Sequence, residues 1–299
     1  MKLVFKTPAK INLGLFILGK RTDGYHDLET LFQMVSLYDT VELESLENAV
    51  ELVCDDPQVP TDDSNLMIRA ARLLQETVPE RTGLGCRMVL HKKIPIGAGL
   101  GGGSGNAAGV LTGLNRLWDL KLKSAELSKI AARLGSDIPF FLCAPSALGQ
   151  GRGERLTPLQ PPRKFHVVLV FPRVSMATAE VYRALNFDLT KNSKNINILR
   201  EFFSQSNIKS LGAHLHNDLE PVVIKRLPVI ASIKQKLNSL NADGTLLSGS
   251  GSAVFGIFED SQGAEEAYTR CCEESWDTFL TETVSSFSEF MPENLLNYP

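Results

Sequence analysis

Between a strand-like segment, Gly85–His91, and a helix-like segment running from about Asn106 to Trp118 lies the stretch Pro95–Gly105, PIGAGLGGGSG. Six of the nine residues from Gly97 to Gly105 are glycine. Such a segment packs poorly and loses much backbone entropy on folding. It makes sense where the backbone must approach a ligand closely and turn several N–H groups toward it. The loop runs into a helix N-terminus at Ser104–Asn106, where unpartnered amides and the positive end of the helix dipole favour phosphate. Two common phosphate-binding patterns fit the chain badly. Gly14–Lys20, GLFILGK, follows a P-loop as far as its lysine, but Arg21 stands where the Mg²⁺-binding hydroxyl belongs and the residues between are bulky and strand-like. A GxGxxG occurs at Gly97, Gly99 and Gly102. Lys92–Ile96, with Pro95, separates it from the preceding strand, and Asp119, near the spacing of a ribose-binding acid, falls in a helix.

The chain's other properties narrow the ligand to a small one. Its 299 residues suffice for about two domains with cores of their own. A net charge of −3 argues against a broad nucleic-acid face, which needs clustered Lys and Arg. The best apolar runs, Phe165–Phe171 and Ile138–Cys143, are far short of the ~18 residues of a membrane span, and Lys6 interrupts the N-terminal MKLVF before it resembles a signal peptide. The five cysteines, Cys54, Cys86, Cys143, Cys271 and Cys272, contain no CxxC. They read as buried small hydrophobes in a protein of the reducing cytoplasm, without a structural metal.

Periodicity places strands and helices in both halves. Residues 2–18 alternate as a strand through Ile11, Leu13, Leu15 and Ile17, and Thr40–Glu44 with Ala49–Cys54 predicts a hairpin turning at Glu47-Asn48. Asn65–Val78 is amphipathic, with Ser64 placed to cap it. Leu122–Leu134 is a further helix, and Gly149–Gly153 reads as a second flexible loop. Beyond Leu159–Pro162 the pattern restarts with a strand at Phe165–Phe171. Helices follow near Thr178–Leu185, Ile196–Phe203 and Val229–Leu240, then strands at Thr245–Leu247 and Ala253–Phe258, a helix at Ala264–Glu274 and a strand at Thr278–Thr283. The last fifteen residues read as a loose tail. The whole is expected to be α+β, two layers per domain, with domains 1–160 and 161–299.

Three motifs together point to a family. Pro8–Leu13 (PAKINL), Pro95–Ala108 (PIGAGLGGGSGNAA) and Leu247–Ser252 (LSGSGS) resemble, in content and order, the N-terminal, phosphate-loop and C-terminal glycine motifs of the GHMP kinases. The additional segments DGYH (Asp23–His26), LGSDIPFFL (Leu134–Leu142) and HNDLE (His216–Glu220) are similar to those of one branch. That branch uses ATP to phosphorylate a hydroxyl of a CDP-linked sugar alcohol on the non-mevalonate route to isoprenoid precursors. The resemblance implies a nucleotide-binding N-terminal domain, a ferredoxin-like C-terminal domain and an active site between them. Another small-molecule kinase of the superfamily, of mevalonate or homoserine type, is the alternative.

Phosphoryl transfer to an alcohol requires cradled phosphates, an activated hydroxyl and charge neutralisation. The resemblance makes Pro95, Ile96, Gly97, Ala98, Gly99, Leu100, Gly101, Gly102, Gly103, Ser104 and Gly105 the ATP cradle, with Asn65 and Lys92 beside adenine and Mg²⁺ accompanying the nucleotide. The family usually carries a second serine where this chain has Gly105, so the metal's ligands are not assigned. By pattern alone Asp137 reads as a turn residue and Lys10 as a solvent-facing strand lysine, opposite in parity to Ile11 and Leu13. The resemblance instead makes Asp137 the base and Lys10 its charge partner. Asn12 shares Lys10's strand face and could bond the substrate. Tyr25 and His26, on a loop after the Asp23-Gly24 turn, can offer stacking and edge contacts to a base, and the resemblance makes them, with Tyr182, the site of a cytosine. His214-x-His216 has no third ligand nearby and is not read as a metal site.

Overall fold

The computed structural model describes residues 2–185 and 195–296. The first half builds strands β1 (Lys2–Lys20), β2 (His26–Leu46) and β3 (Val50–Cys54), helix α1 (Leu66–Thr77), strand β4 (Gly85–His91), helices α2 (Gly102–Leu117), α3 (Ser124–Leu134) and α4 (Phe140–Cys143), and strands β5 (Ser146–Gly151) and β6 (Arg155–Pro158). The second half adds β7 (His166–Phe171), α5 (Thr178–Arg183), α6 (Ile196–Ser204), α7 (Ile208–His214), β8 (His216–Asn217), α8 (Glu220–Arg226), α9 (Val229–Ser239), β9 (Gly244–Leu247), β10 (Val254–Phe258), α10 (Ser261–Cys272), β11 (Asp277–Glu282) and α11 (Glu293–Leu296).

Among the described residues these strands form two sheets. One has seven strands in the order β3-β4-β2-β1-β8, with β5 paired to β2 and β6 to β5. The other has four, in the order β11-β7-β10-β9. Numbered along the chain, that order is 4-1-3-2 in a β-α-β-β-α-β succession, the ferredoxin-like arrangement. The architecture is α+β, as expected. No helix among the described residues is long and apolar enough to cross a membrane.

Three apolar clusters separate the layers. The first lies between the α1–α4 face and the seven-stranded sheet and contains Leu3, Phe5, Phe32, Met34, Leu74, Met88, Leu111 and Phe140. The second joins the two sheets through Ile11, Leu13, Leu31, Val167, Leu169 and Phe255. The third holds Val168, Val170, Val254 and Phe258 against α8–α10, through Val223, Ile233 and Ala267. Both sheets are thus covered on both faces, and strand β1 is buried throughout residues 7–17.

Several expectations are corrected. Ala49–Cys54 does not fold back on Thr40–Glu44. Helix α1 carries the chain across, β4 enters antiparallel to β2, and β3 lies parallel to β4 at the sheet edge. The physical reason is burial: Cys86, Met88 and Leu90 of β4 are inaccessible, whereas β3 exposes Glu51 and Val53 and suits an edge. The N-cap of α1 is Asn65, whose Oδ1 accepts from the Met67 amide at 2.8 Å, while Ser64 donates to Asp62. Gly149–Gly153 is not a flexible loop, since β5 runs to Gly151. A Cβ at Gly149 would lie 2.8 Å from the Phe32 ring, so glycine there serves close packing. The tail is not loose over its described residues, 285–296: Phe290 and Leu295 are buried, and the Lys6 amide donates to the Phe290 carbonyl.

Candidate active site

The geometry of the site begins with an irregularity in β1. Its register against β2 shifts between Pro8 and Ala9 and again between Asn12 and Gly14. A bulge reverses which alternate residues face which side. Leu3 and Phe5, odd-numbered, and Lys10 and Asn12, even-numbered, therefore all face the helical layer, opposite Leu43, Val41, Met34 and Phe32 respectively. This corrects the solvent-facing pattern for Lys10. It opposes Ile11 and Leu13 as read, but the face it takes is covered by α2, and it is 3% exposed.

Lys10 Nζ donates to Asn12 Oδ1 at 2.7 Å and lies 3.5 Å from Asp137 Oδ2. It also sits 5.6 Å above the Phe32 ring. Asn12 Nδ2 donates to Thr30 Oγ1, which donates in turn to the Gly14 carbonyl, each at 2.7 Å. Asp137 stands in the turn between α3 and α4 with its carboxylate half exposed. A buried ammonium and an accessible carboxylate therefore meet at the edge of a cavity.

The glycine loop closes one side. Gly97, Gly99 and Gly101 have φ of +68°, +76° and +70°, the left-handed region where a side chain is strained. A Cβ at Gly99 would lie 2.1 Å from the Ser248 carbonyl oxygen. The loop is pinned from both halves: the Lys10 amide donates to the Leu100 carbonyl, and the Ala253 amide to the Ala98 carbonyl. Helix α2 starts at Gly102, four residues earlier than expected, because Gly102–Gly105 form its first turn behind Gly101 at the N-cap. The amides of Gly102, Gly103 and Ser104 have no acceptor within the helix, whereas the Gly105 amide donates to the Gly101 carbonyl at 2.8 Å. Gly105 is packed tightly, and a Cβ there would meet the Pro8 carbonyl oxygen at 2.9 Å and the Phe141 ring at 3.3 Å.

Beneath the loop lies a group the sequence did not single out. Asp39, inaccessible on β2, accepts from Lys92 Nζ at 2.7 Å, the Lys93 and Ile94 amides at 2.7 and 2.8 Å, and Asn106 Nδ2 at 2.9 Å. Lys92 Nζ also donates to the Ile94 carbonyl. The polar groups of Lys92 and of Asn65, which bonds Met67 and Pro60, are thus engaged within the protein.

Three cavities adjoin. One of about 490 Å³ is lined by Asn65, Lys92 and residues 95–104. One of about 240 Å³ is lined by Lys10, Asn12, Thr30, Asp137, Gly249 and Ser250. One of about 670 Å³ is lined by Tyr25, His26, Arg152, Tyr182 and Arg183. Thr178 lines all three. His26, the first residue of β2, lies with its ring 5.3 Å from that of Tyr182, and the Arg152 guanidinium lies 4.9 Å above the exposed Tyr25 ring. Burial, with the Asp137 charge adding to it, pushes the Tyr182 phenol well above its ordinary value. Burial, with Lys20 nearby, pulls the His26 imidazole down. Thr30 and Thr178 were missed because neither spacing nor composition marks them. Arg152 carried a signal in its flanking glycines, and Ser250 lies within the Leu247–Ser252 glycine motif without having been singled out.

His214 and His216 engage separate partners, Ser210 and Asp218. Among the described residues no three His, Cys, Asp or Glu side chains are grouped to hold a metal.

Residues 65–144 match the GHMP kinases N terminal domain, and residues 199–276 match the GHMP kinases C terminal domain. The chain is also 39% identical over 281 residues to a protein of Clostridium botulinum (strain Alaska E43 / Type E3) named 4-diphosphocytidyl-2-C-methyl-D-erythritol kinase, covering 93% of this chain and 99% of that one. The chain belongs to the GHMP kinases. Its fold matches a crystal structure of 4-(cytidine 5'-diphospho)-2C-methyl-D-erythritol kinase with a TM-score of 0.79 at 32% identity, covering 95% and 99% of the two chains. Homoserine kinase from Cytophaga hutchinsonii matches at a TM-score of 0.77 but 17% identity, covering 95% of each chain, and shares with this GHMP kinase the fold alone.

Proposed function

We propose that this GHMP kinase transfers the γ-phosphoryl group of ATP to a hydroxyl of 4-diphosphocytidyl-2-C-methyl-D-erythritol, in the non-mevalonate supply of isoprenoid precursors. The observation that carries the reading is the row of three cavities, glycine-lined at one end and lined by Tyr25, His26 and Tyr182 at the other, with Lys10 and Asp137 between. ATP takes the glycine-lined end, its phosphates against the first turn of α2, with Asn65 and Lys92 shaping the wall near adenine. The cytidylyl group takes the aromatic end, where base–aromatic stacking stabilises it. Its alcohol then reaches the central cavity. Asp137 accepts the hydroxyl proton as the oxygen–phosphorus bond forms and the bond to the leaving ADP breaks, while Lys10 offsets charge on the transferring group.

Mg²⁺ would enter with the nucleotide, held by its phosphates, water and the Ser104 hydroxyl. That suits a site with Gly105 at the next position and, among the described residues, no group of three His, Cys, Asp or Glu side chains, because Mg²⁺ in kinase sites keeps several waters and binds through substrate phosphates with one or two protein groups. It supplies charge neutralisation. We assign residues 1–160 to the nucleotide side and 161–299 to the other, a division supported by the two sheets, and place the enzyme in the cytoplasm on the strength of five free cysteines.

The test is turnover with ATP, Mg²⁺ and the cytidylyl alcohol, with mevalonate and homoserine as controls. ADP release with the first alone supports the reading, and equal or greater turnover of either control overturns it. Replacing Tyr25 and Tyr182 by Ala is expected to raise KM for the cytidylyl substrate, at ~1–3 kcal/mol per stacked base, and to leave KM for ATP unchanged.

A further inference from the structure

The segment His216–Glu220 resembles a family motif but has no part in the chemistry above. It lies where the second half of the chain meets the strand carrying Lys10 and Asn12. On one side it grips β1. Strand β8 pairs parallel to it, with His216 opposite Gly14 and Asn217 opposite Leu15. Asp218 Oδ2 accepts from the Ile17 amide at 2.7 Å, and the Asp218 amide donates to the Leu15 carbonyl at 3.0 Å. His216 Nε2 lies 2.8 Å from Asp218 Oδ1, which fixes that carboxylate.

On the other side it grips the turn after β9. Asn217 Nδ2 donates to the Leu247 carbonyl at 2.9 Å and to the Gly249 carbonyl at 2.7 Å, and its Oδ1 accepts from the Leu219 amide at 2.9 Å. Glu220 Oε2 accepts from the Leu247 amide at 2.8 Å. Asn217 is 3% exposed, and all its partners are backbone groups.

What the turn does is visible from Gly249. Its φ is +56°, and a Cβ placed on it would lie 3.2 Å from Asn12 Oδ1 and 3.3 Å from Lys10 Nζ. Gly249 and Ser250 line the central cavity beside those two side chains. Bonds within the turn, from the Ser248 amide to the Ala253 carbonyl and from the Gly251 amide to the Ser248 carbonyl, set its shape but not its distance from β1. The two Asn217 bonds tie the turn to β8 and so to β1, beside the Glu220 bond to the Leu247 amide and the links to the glycine loop from Ser248 Oγ to the Gly99 carbonyl and from the Ala253 amide to the Ala98 carbonyl. Two carbonyls two residues apart need a pair of donors on one atom, which a primary amide supplies and a carboxylate lacks.

We propose that Asn217 is a positioning residue for phosphoryl transfer: it holds the Leu247–Gly249 backbone at the spacing that closes the central cavity around Lys10. The proposal rests on the reading of that cavity as the transfer site. Its test compares the full-length wild type with Asn217→Asp and Asn217→Ala, by steady-state kinetics with ATP and the cytidylyl alcohol, thermal melting and hydrogen exchange. In folded variants kcat falls roughly 10- to 100-fold, the cost of misplacing reacting groups by about an ångström. KM for either substrate stays within about twofold, because the loss belongs to the transition state. Exchange of the amides of residues 247–252 rises while that of β7 and β10 does not. A kcat within about twofold of wild type, or a loss lying wholly in KM, overturns the proposal. If Asn217→Asp does not fold, Asn217→Ala carries the test, since it leaves both carbonyls open to water. If the wild type itself does not turn over this alcohol, the substrate reading fails separately and exchange decides alone: unchanged protection of residues 247–252 overturns the role of Asn217.

Discussion

Asp137 and Lys10 meet across 3.5 Å but are held by different means, and substitution separates them. Asp137 is half exposed in a turn, so Asp137→Asn keeps its shape and leaves the fold alone while removing the proposed proton acceptor. Its kcat is expected to fall by ~10²–10⁴, the usual share of a general base, with both KM values nearly unchanged. Lys10 is buried and bonded to Asn12, whose amide continues to Thr30. Lys10→Met therefore leaves a buried acceptor unpaired, at about 1–3 kcal/mol of stability, in addition to lowering kcat. In the proposed mechanism the two side chains act on one transferring group, so the double variant should turn over little more slowly than the worse single one. Thermal melts and kcat for the three proteins check this. Near wild-type turnover by Asp137→Asn would return Asp137 to the plain turn residue its sequence context first suggests.

At the scale of the element, the glycine loop mixes positions that the backbone requires with positions left open for a ligand. At Gly99 both the left-handed φ and the Ser248 carbonyl oppose any side chain, so Gly99→Ala should lower the melting temperature and weaken ATP binding together. At Gly103 an added Cβ would meet Leu66 at 3.8 Å, an ordinary contact. Gly103→Ala in a helical turn should keep or slightly raise stability, by up to about 1 kcal/mol. The same change should weaken ATP, measured by calorimetry, because in the proposed cradle the methyl group stands where the phosphates approach. Unchanged affinity would remove Gly103 from the cradle. The loop was legible in the sequence because its composition has few other uses. The bulge at Pro8–Ala9 was not, because pairing with β2 decides it; Lys10 opposes Ile11 and Leu13 as read, but no local pattern shows that α2 covers the face it takes. The hairpin predicted for Ala49–Cys54 failed for the same reason: the insertion of β4 depends on what covers Met88 and Leu90, which no local pattern contains. Strand β8, only two residues long, carries no periodic signal at all.

For the molecule as a whole, the chain's end matters more than its composition suggested. After β11 it returns to the first half, placing Val284, Phe290 and Leu295 in the cluster beneath α2 and α3. Burying each such side chain is worth ~1.5–3 kcal/mol, against the ~5–15 kcal/mol that stabilises a typical domain. Ending the chain after Thr283 should therefore lower the midpoint of urea unfolding substantially, and a midpoint equal to that of the full chain would mean the segment is ornamental. The pairing of β8 with β1 has a different reach. The bond between the Ile17 amide and Asp218 closes a separation of 201 residues. A ribosome adding roughly 5–20 residues per second takes about 10–40 s to bridge that interval. Until it is bridged, β1 lacks the strand that pairs its edge at Gly14 and Leu15, and Lys10 lacks the Gly249–Ser250 wall beside it. An open apolar edge is a template for another chain. Protection from self-association and competence for chemistry therefore arrive in one step of synthesis, when residues 216–252 settle onto the strand that has waited for them.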